Sequence, residues 1–221
     1  YALHVKGDIP VGTVSTKPGI FFANTEEIDV LFEGIGAHVA LAERGKDALN
    51  AGFEFYRLVN EKVRENFEDQ KTILCKFGKM TAGTVRNTIA AECKLEGTIR
   101  ALSEEDHNLL RQIVKESVDE ISQKYNIKSE FKNFNYYKAL MNNEKLYEKF
   151  KGIIGRTNYK FKEADVLMGG EDFGFFAEKY TGLFFWLGAN QGEVHDLHSS
   201  NFLPDEKAIN VGVDVFFELI K

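Results

Sequence analysis

Ala91-Glu92-Cys93-Lys94-Leu95-Glu96-Gly97-Thr98-Ile99-Arg100 alternates without a break. Ala91, Cys93, Leu95, Gly97 and Ile99 share one face, and Glu92, Lys94, Glu96, Thr98 and Arg100 share the other. That period of two marks a strand with one buried side. Upstream, Ile28, Val30 and Phe32 alternate with Glu27, Asp29 and Glu33 in the same way, and Gly34 and Gly36 end the run. Between the two strands the spacing predicts a helix over 47–67 with Leu49, Tyr56, Val59 and Val63 inward. A strand over 72–77 follows, with Ile73, Cys75 and Phe77 on one face, and then a loop over 81–84. Downstream, Ser103 caps a helix that runs to about Tyr125, and Asp106 completes a capping-box-like pair. Leu110, Val114, Ile121 and Tyr125 form its expected buried side, and 127–131 reads as a fourth strand. The order β-α-β-β-α-β is the split βαβ, or ferredoxin-like, arrangement. Both helices should cover one face of the sheet, leaving a polar face that carries Arg100.

The flanks follow a different pattern. A helix over about 143–154, a Gly169-Gly170-Glu171-Asp172-Phe173-Gly174 run, a near-continuous apolar strand over 183–188 and a closing helix over about 204–220 suggest a sheet covered on both sides. Residues 1–16 read as a strand of that same sheet and its exit loop. The fold class is therefore α/β. A ferredoxin-like domain over 17–135 is inserted between 1–16 and 136–221, which read as two pieces of another domain.

The 221 residues allow one large or two small domains. With 34 acidic against 28 basic residues the net charge is −6, and no basic block stands against it. Nucleic acid and anionic membrane surfaces are excluded as expected partners. No apolar run approaches the ~20 residues that span a bilayer. Cys75 and Cys93 make no disulfide framework and read as small buried hydrophobes. With no signal peptide visible, a cytoplasmic location is expected. Tyr1-Ala2-Leu3-His4-Val5 reads as the end of a buried strand, so the chain is expected to begin inside a domain.

The histidines offer most of the chemistry. His4 follows a buried strand and precedes an expected turn, Lys6-Gly7-Asp8, where α/β sheets bind ligands; taken alone, such a histidine is more often a satisfied structural residue. His195 and His198 share a loop with Glu193 and Asp196, which has metal-ligand chemistry; a polar surface loop is the plain alternative. His38 ends a glycine-rich turn, where backbone can approach a ligand closely; a tight turn that merely ends in a histidine is the plain alternative. His107, in the first turn of an outward-looking helix, is expected on the surface. Glu171 and Asp172 sit at a glycine-flanked strand-to-helix junction, where the glycines could bring a carboxylate toward a site; an acidic helix start is the slightly favoured reading. Asn87 enters the third strand and Arg100 leaves it. Arginine suits bidentate recognition of a carboxylate, and surface pairing with Glu92 or Glu96 is its commoner use.

Six strings in register make the sequence resemble one family from first residue to last. They are Ala2-Leu3-His4-Val5 with Pro10-Val11-Gly12-Thr13; Gly34-Ile35-Gly36-Ala37-His38; Gly83-Thr84-Val85-Arg86-Asn87-Thr88-Ile89; Glu96-Gly97-Thr98-Ile99-Arg100; Gly170-Glu171-Asp172-Phe173; and Phe185-Trp186-Leu187-Gly188 with Leu197-His198. The family is that of the dinuclear metal-dependent amidohydrolases, aminoacylases and carboxypeptidases. The nearest branch holds hippurate hydrolase, indole-acetyl-amino-acid hydrolase and N-acetyldiaminopimelate deacetylase, and the last of these is most similar.

The resemblance implies an α/β/α metallo-exopeptidase-like catalytic domain, incomplete here, with the ferredoxin-like domain inserted as a lid, two divalent ions (Zn or Mn, with Co or Ni as alternatives) and a small N-acyl amino acid as substrate. It implies His4 and His198 as metal ligands, with Glu171 and Asp172 as candidates for groups that orient them. His38 would stabilise the oxyanion in a partner subunit's site, within a homodimer formed through the lid, and Asn87 and Arg100 would contact substrate. N-acetyldiaminopimelate deacetylation in lysine biosynthesis is the implied reaction.

The sequence departs from the family pattern in two places. The family's Cys-Gly-His-Asp and Glu-Glu strings, which supply the other ligands and the general base, have no counterpart ahead of Tyr1. The metal site is therefore expected to be incomplete here, and the 221 residues alone nearly inactive. In the lid loop, Ala37, Ala42 and Glu43 replace the usual Gly, Pro and His. A truncated, inactive relic serving as a dimerising or amino-acid-binding module is the alternative reading.

Overall fold

The computed structural model describes residues 1–190, 192, 194–195 and 197–221. In chain order the first elements are β1 (Ala2–Pro10), β2 (Thr13–Thr16), β3 (Gly19–Phe22), β4 (Asn24–Glu33), α1 (Ala48–Asn66), β5 (Ile73–Ala82), β6 (Glu92–Ala101) and α2 (Glu104–Tyr125). They are followed by β7 (Lys128–Tyr137), β8 (Leu140–Asn142), α3 (Glu144–Ile154), β9 (Lys160–Glu163), α4 (Phe173–Lys179), β10 (Phe184–Asn190) and α5 (Lys207–Ile220). A 3₁₀ turn spans Val39–Arg44. The chain forms two compact units. One holds Tyr1–Phe22, Lys138–Leu167 and Glu171–Lys221; the other holds Ala23–Tyr137 and Met168–Gly170. Among the described residues no helix is long and apolar enough to cross a membrane.

The second unit is a four-stranded sheet in the order β5-β6-β4-β7, with every neighbouring pair antiparallel. Ile28, Val30 and Phe32 of β4 meet Cys93, Leu95 and Ile99 of β6 in one core with Phe55 and Val59 of α1 and Leu110 and Val114 of α2. Ser103 Oγ accepts from the Asp106 amide and Asp47 from the Asn50 amide, so both helices start on side-chain caps. Gly52 lets α1 lie close on β6, because a Cβ there would fall 2.3 Å from Cys93 Sγ. On the other face Lys94 pairs with Asp29 at 2.8 Å and Lys79 with Glu96 at 2.5 Å. Burial pushes the Cys75 thiol up to about 12 and the Cys93 thiol up to about 11, so both stay protonated and unreactive.

Several expectations are corrected in this unit. Leu49 and Tyr56 are 50% and 43% exposed, and the buried side of α1 is Ala48, Ala51, Gly52, Phe55, Val59 and Val63. The helix has two apolar stripes, and the one carrying Leu49, Phe53 and Tyr56 faces outward. Strand β5 continues through Thr81 and Ala82, which were expected in a loop; an irregularity between Phe77 and Lys79 absorbs Gly78 and keeps the pairing with β6. Strand β7 likewise runs on to Tyr137. His107, expected on the surface, is fully buried: it lies in the Leu110–Val114 stripe and packs on the Tyr136 ring at 5.3 Å.

Phe55 is fully enclosed, with the Phe32 and Phe77 rings at 5.5 and 5.4 Å. Phe55→Ala should lower the stability of this unit by about 3–5 kcal/mol, measured by urea unfolding.

The first unit has a mixed sheet in the order β1-β10-β2-β9. Strand β10 is central and buried on both faces. Phe185 and Leu187 join Phe150 and Ile154 of α3 and Val211 and Val215 of α5 on one side. Phe184 and Trp186 join Phe21, Phe22 and Leu140 on the other. Lys6-Gly7-Asp8, expected to turn, continues β1, because parallel pairing with β10 holds as far as Lys6 opposite Gly188. The exit loop expected before residue 17 is strand β2. Strands β3, β8 and β9 were not expected; β9 (Lys-Phe-Lys-Glu) is a short charged edge strand without an apolar run to announce it.

Candidate functional site

Two groups of candidate residues lie in separate units. In the first unit His4 sits on β1 opposite Trp186 of β10, with the two rings edge to face at 5.7 Å. Its Nδ1 lies 2.8 Å from the Val5 carbonyl oxygen. A carbonyl only accepts, so Nδ1 carries the proton. In the neutral ring the Nε2 lone pair is then left for another partner. This is the tautomer a metal-ligating histidine needs, with its second nitrogen anchored by backbone. Lys6, two residues on, places Nζ 5.3 Å from the centre of the same Trp186 ring.

The loop after β10 is seated on β1. Gly7 makes this approach possible, since a Cβ there would fall 2.7 Å from the Phe202 ring and 2.8 Å from the His195 carbonyl oxygen. Asn190 Nδ2 donates to the Gly7 carbonyl at 2.9 Å. His198 is exposed in this loop. Ser199 accepts from the Phe202 amide through its carbonyl at 3.0 Å and from the Asn201 amide through Oγ at 3.2 Å. Glu193 and Asp196, the acidic residues read with His198 as a ligand set, lie outside the described residues.

Glu171 Oε1 accepts from the Phe173 amide at 3.3 Å at the start of α4. Burial pushes the Glu171 carboxyl up; the neighbouring Asp172 adds to the rise, and His4 is close enough that its positive form pulls the other way. Asp172 makes no side-chain cap on α4. Among the described residues no group of three or more His, Cys, Asp or Glu side chains is arranged to hold a metal. The donor chemistry nevertheless fits a divalent ion: an imidazole whose Nε2 keeps its lone pair and one carboxylate, Glu171, within its electrostatic reach.

In the second unit, His38 and Asn87 come together. The two loops are zipped by Val39 N donating to the Asn87 carbonyl at 3.2 Å and Ile89 N donating to the Ala37 carbonyl at 2.7 Å. His38 Nδ1 accepts from the Ala40 amide at 3.1 Å. The tautomer is therefore opposite to that of His4: Nδ1 carries the lone pair and Nε2 carries the proton. His38 thus presents a donor from an exposed loop.

Arg100 is not part of that cluster. It lies near the opposite end of β6, which begins at Glu92 after the Asn87 loop. Eight residues of strand separate Glu92 from Arg100, roughly 25–30 Å at ~3.4 Å per residue. Arg100 Nη1 donates to the Met168 carbonyl, and its buried Nε has no acceptor among the described residues. A guanidinium held this way is fixed in direction and still short of one acceptor.

The tautomers of His4 and His38 and the Gly7 seat had no signal in the sequence, because each depends on backbone groups brought in by the fold. A buried pair, Glu26 and His107, was also missed. The signal was present, since both occupy inward positions of their element's apolar pattern.

Comparison with known proteins places these features in a family. The model of "Peptidase family M20/M25/M40" matches residues 1–221. An N-acetyldiaminopimelate deacetylase of Bacillus pumilus is 34% identical over 221 residues, all of this chain and 58% of the relative. One from Bacillus subtilis strain 168 is 34% identical over 215 residues, 97% of this chain and 57% of the relative. The chain thus spans just under three fifths of the length of these curated relatives. Among solved structures, the YXEP protein of Bacillus subtilis, described as a dinuclear metal binding peptidase from the M20 family, superposes with a TM-score of 0.77 at 27% identity. That match covers 98% of this chain and 55% of YXEP. A putative aminohydrolase from methicillin-resistant Staphylococcus aureus superposes with a TM-score of 0.87 at 20% identity, covering 99% and 57%, and shows the shared fold.

Proposed function

The chain belongs to peptidase family M20/M25/M40, and on that premise we propose that it forms the lid and C-terminal part of a metal-dependent amidohydrolase. The reaction is removal of the acyl group from an N-acyl amino acid. N-acetyldiaminopimelate, in lysine biosynthesis in the cytoplasm, is the substrate suggested by the names of the relatives. The observation that carries the reading is the pair of opposite histidine tautomers: a free lone pair at His4 and a free N–H at His38.

In this reading His4 and His198 hold divalent ions, Zn or Mn, and Glu171 and Asp172 orient the ligands. A bound divalent ion polarises the scissile carbonyl and makes water a nucleophile near neutral pH. The remaining ligands and the general base are assigned to the two fifths of the family length outside the match. The groove of about 760 Å³ lined by Leu3, Val5, Leu187, Val213 and Phe217 is the surface on which we place that portion. His38 Nε2–H donates to the amide oxygen as it gains charge, and Asn87, whose backbone is zipped to the His38 loop, supports the same end of the substrate. Arg100, its guanidinium fixed in direction by the Met168 carbonyl, receives the substrate carboxylate.

His38 with Asn87 at one end of β6 and Arg100 at the other lie too far apart for one small substrate to touch all three in one chain. A homodimer resolves this, with the ferredoxin-like unit acting as a lid that lends His38 to its partner's site. The outward stripe of Leu49, Phe53 and Tyr56 on α1, 50%, 60% and 43% exposed, and the β5 edge supply a contact surface for it.

The test is hydrolysis of N-acetyldiaminopimelate by the full-length protein loaded with Zn²⁺ or Mn²⁺. Arg100→Ala should raise KM about tenfold or more with a smaller change in kcat, as expected for loss of a charge-assisted contact made in the ground state. An unchanged KM removes Arg100 from the carboxylate site.

A further inference from the structure

A second set of ionisable groups lies inside the β4-to-β7 unit, on the helix-covered side of the sheet. Glu26 of β4 is 2% exposed. Its carboxylate accepts from Arg111 Nε at 2.8 Å, from Arg111 Nη2 at 3.0 Å and from Asn133 Nδ2 of β7 at 2.6 Å. His107, in the first turns of α2, is fully buried beside it, with Nε2 3.8 Å from Glu26 Oε2, too long for a hydrogen bond. Neither ring nitrogen of His107 has a hydrogen-bond partner among the described residues. Its ring lies against Tyr136 of β7, and Tyr136 Oη donates to Asn24 Oδ1 of β4 at 3.0 Å.

We propose that Glu26, His107 and Arg111 form an acid-sensitive lock that holds the first turns of α2 on β4 and β7, closed while His107 is neutral and released when it takes up a proton. The charge count supplies the reason. With His107 neutral, one guanidinium faces one carboxylate, and the carboxylate already receives three donors. Protonating His107 places a second cation beside Arg111 at a carboxylate that already receives three donors, with Glu104 the one further anion facing the ring. The positive end of α2 opposes the same charge. The groups that face His107 are Glu26 from β4, Arg111 and Glu104 from α2, and Tyr136 from β7. Burial lowers the affinity of the ring for a proton; Glu26 and Glu104 oppose this, and Arg111 adds to it. A histidine whose folded-state pKa lies below its unfolded value contributes stability that is complete above the unfolded value, near 6.5, and is lost as pH falls below it.

The lock occupies the two strands by which the chain enters and leaves this unit, since β4 begins at Asn24 and β7 ends at Tyr137. Release therefore loosens the roots of both crossings and not only the helix.

Hydrogen exchange on the full-length protein, corrected for intrinsic rates, tests this. Between pH 7.5 and 5.5, protection of amides in 104–112 and 24–28 should fall, by up to about tenfold per pH unit below 6.5. His107→Phe, which keeps the ring contact and cannot titrate, should abolish that fall. Equal protection at both pH values in the wild type, or an equal fall in His107→Phe, overturns the lock. Should His107→Phe fail to fold, NMR of ¹³C-labelled histidine in the wild type decides. A His107 resonance that titrates below the exposed histidines, together with loss of protection, supports the lock; titration alongside them with protection intact overturns it.

Discussion

His198→Ala in the full-length protein should lower kcat for N-acetyl amino acid hydrolysis by about a thousandfold or more. A divalent ion contributes several kcal/mol to stabilising charge in the transition state, and each 1.36 kcal/mol is a factor of ten. Removing an imidazole ligand lowers occupancy and also moves any ion that remains. The loss should appear in metal content as well as in rate, while the unfolding midpoint of the β4-to-β7 unit stays unchanged. His198 is exposed in a loop held by Ser199 and by the Gly7 seat, so the substitution removes no core contact. Turnover and metal content both at wild-type levels would take His198 out of the ligand set.

His38→Ala should lower kcat by about 10²–10³ with little change in KM, the signature of a donor used mainly in the transition state. The Ala40 amide keeps Nδ1 as an acceptor, so the ring offers Nε2–H without first changing tautomer. His38→Gln carries an amide N–H at nearly the same reach and should recover part of the loss. A rate equal to wild type in His38→Ala removes it from the oxyanion site.

Much of the β4-to-β7 unit was legible because one buried face imposes a period of two. The alternation in β4 and β6 and the cap at Ser103 are local facts, and the fold obeys them. Glu26 shows the limit. The pattern of Ile28, Val30 and Phe32 puts position 26 inward, and a carboxylate there argues against burial unless a partner is supplied. That partner, Arg111, is 85 positions away. His107 was misplaced for the same reason: its spacing to Leu110 and Val114 is that of a core residue, and its polarity outweighed the spacing. Leu49 and Tyr56 failed in the opposite sense, because α1 carries two apolar stripes and only one meets the sheet. In the other unit, β10 announced itself by an unbroken apolar run. The β9 edge strand, with two lysines and a glutamate around Phe161, gave no such sign.

The candidate site was legible as residue identities and not as an arrangement. His4, His38, Asn87, Arg100 and His198 could be named from short strings. That His38 and Asn87 are zipped together, and that Arg100 stands a strand's length from them, follows from pairing that only the fold supplies.

Subunit complementation tests that arrangement most directly. His38→Ala and Arg100→Ala proteins, each nearly inactive at subsaturating substrate, are mixed, unfolded and refolded together. If each site takes Arg100 from one copy and His38 from the other, half of the dimers are mixed and one of their two sites is intact, so activity should return to about a quarter of wild type. Activity that stays at the level of the parent variants, with mixed dimers shown to be present, would contradict the shared site.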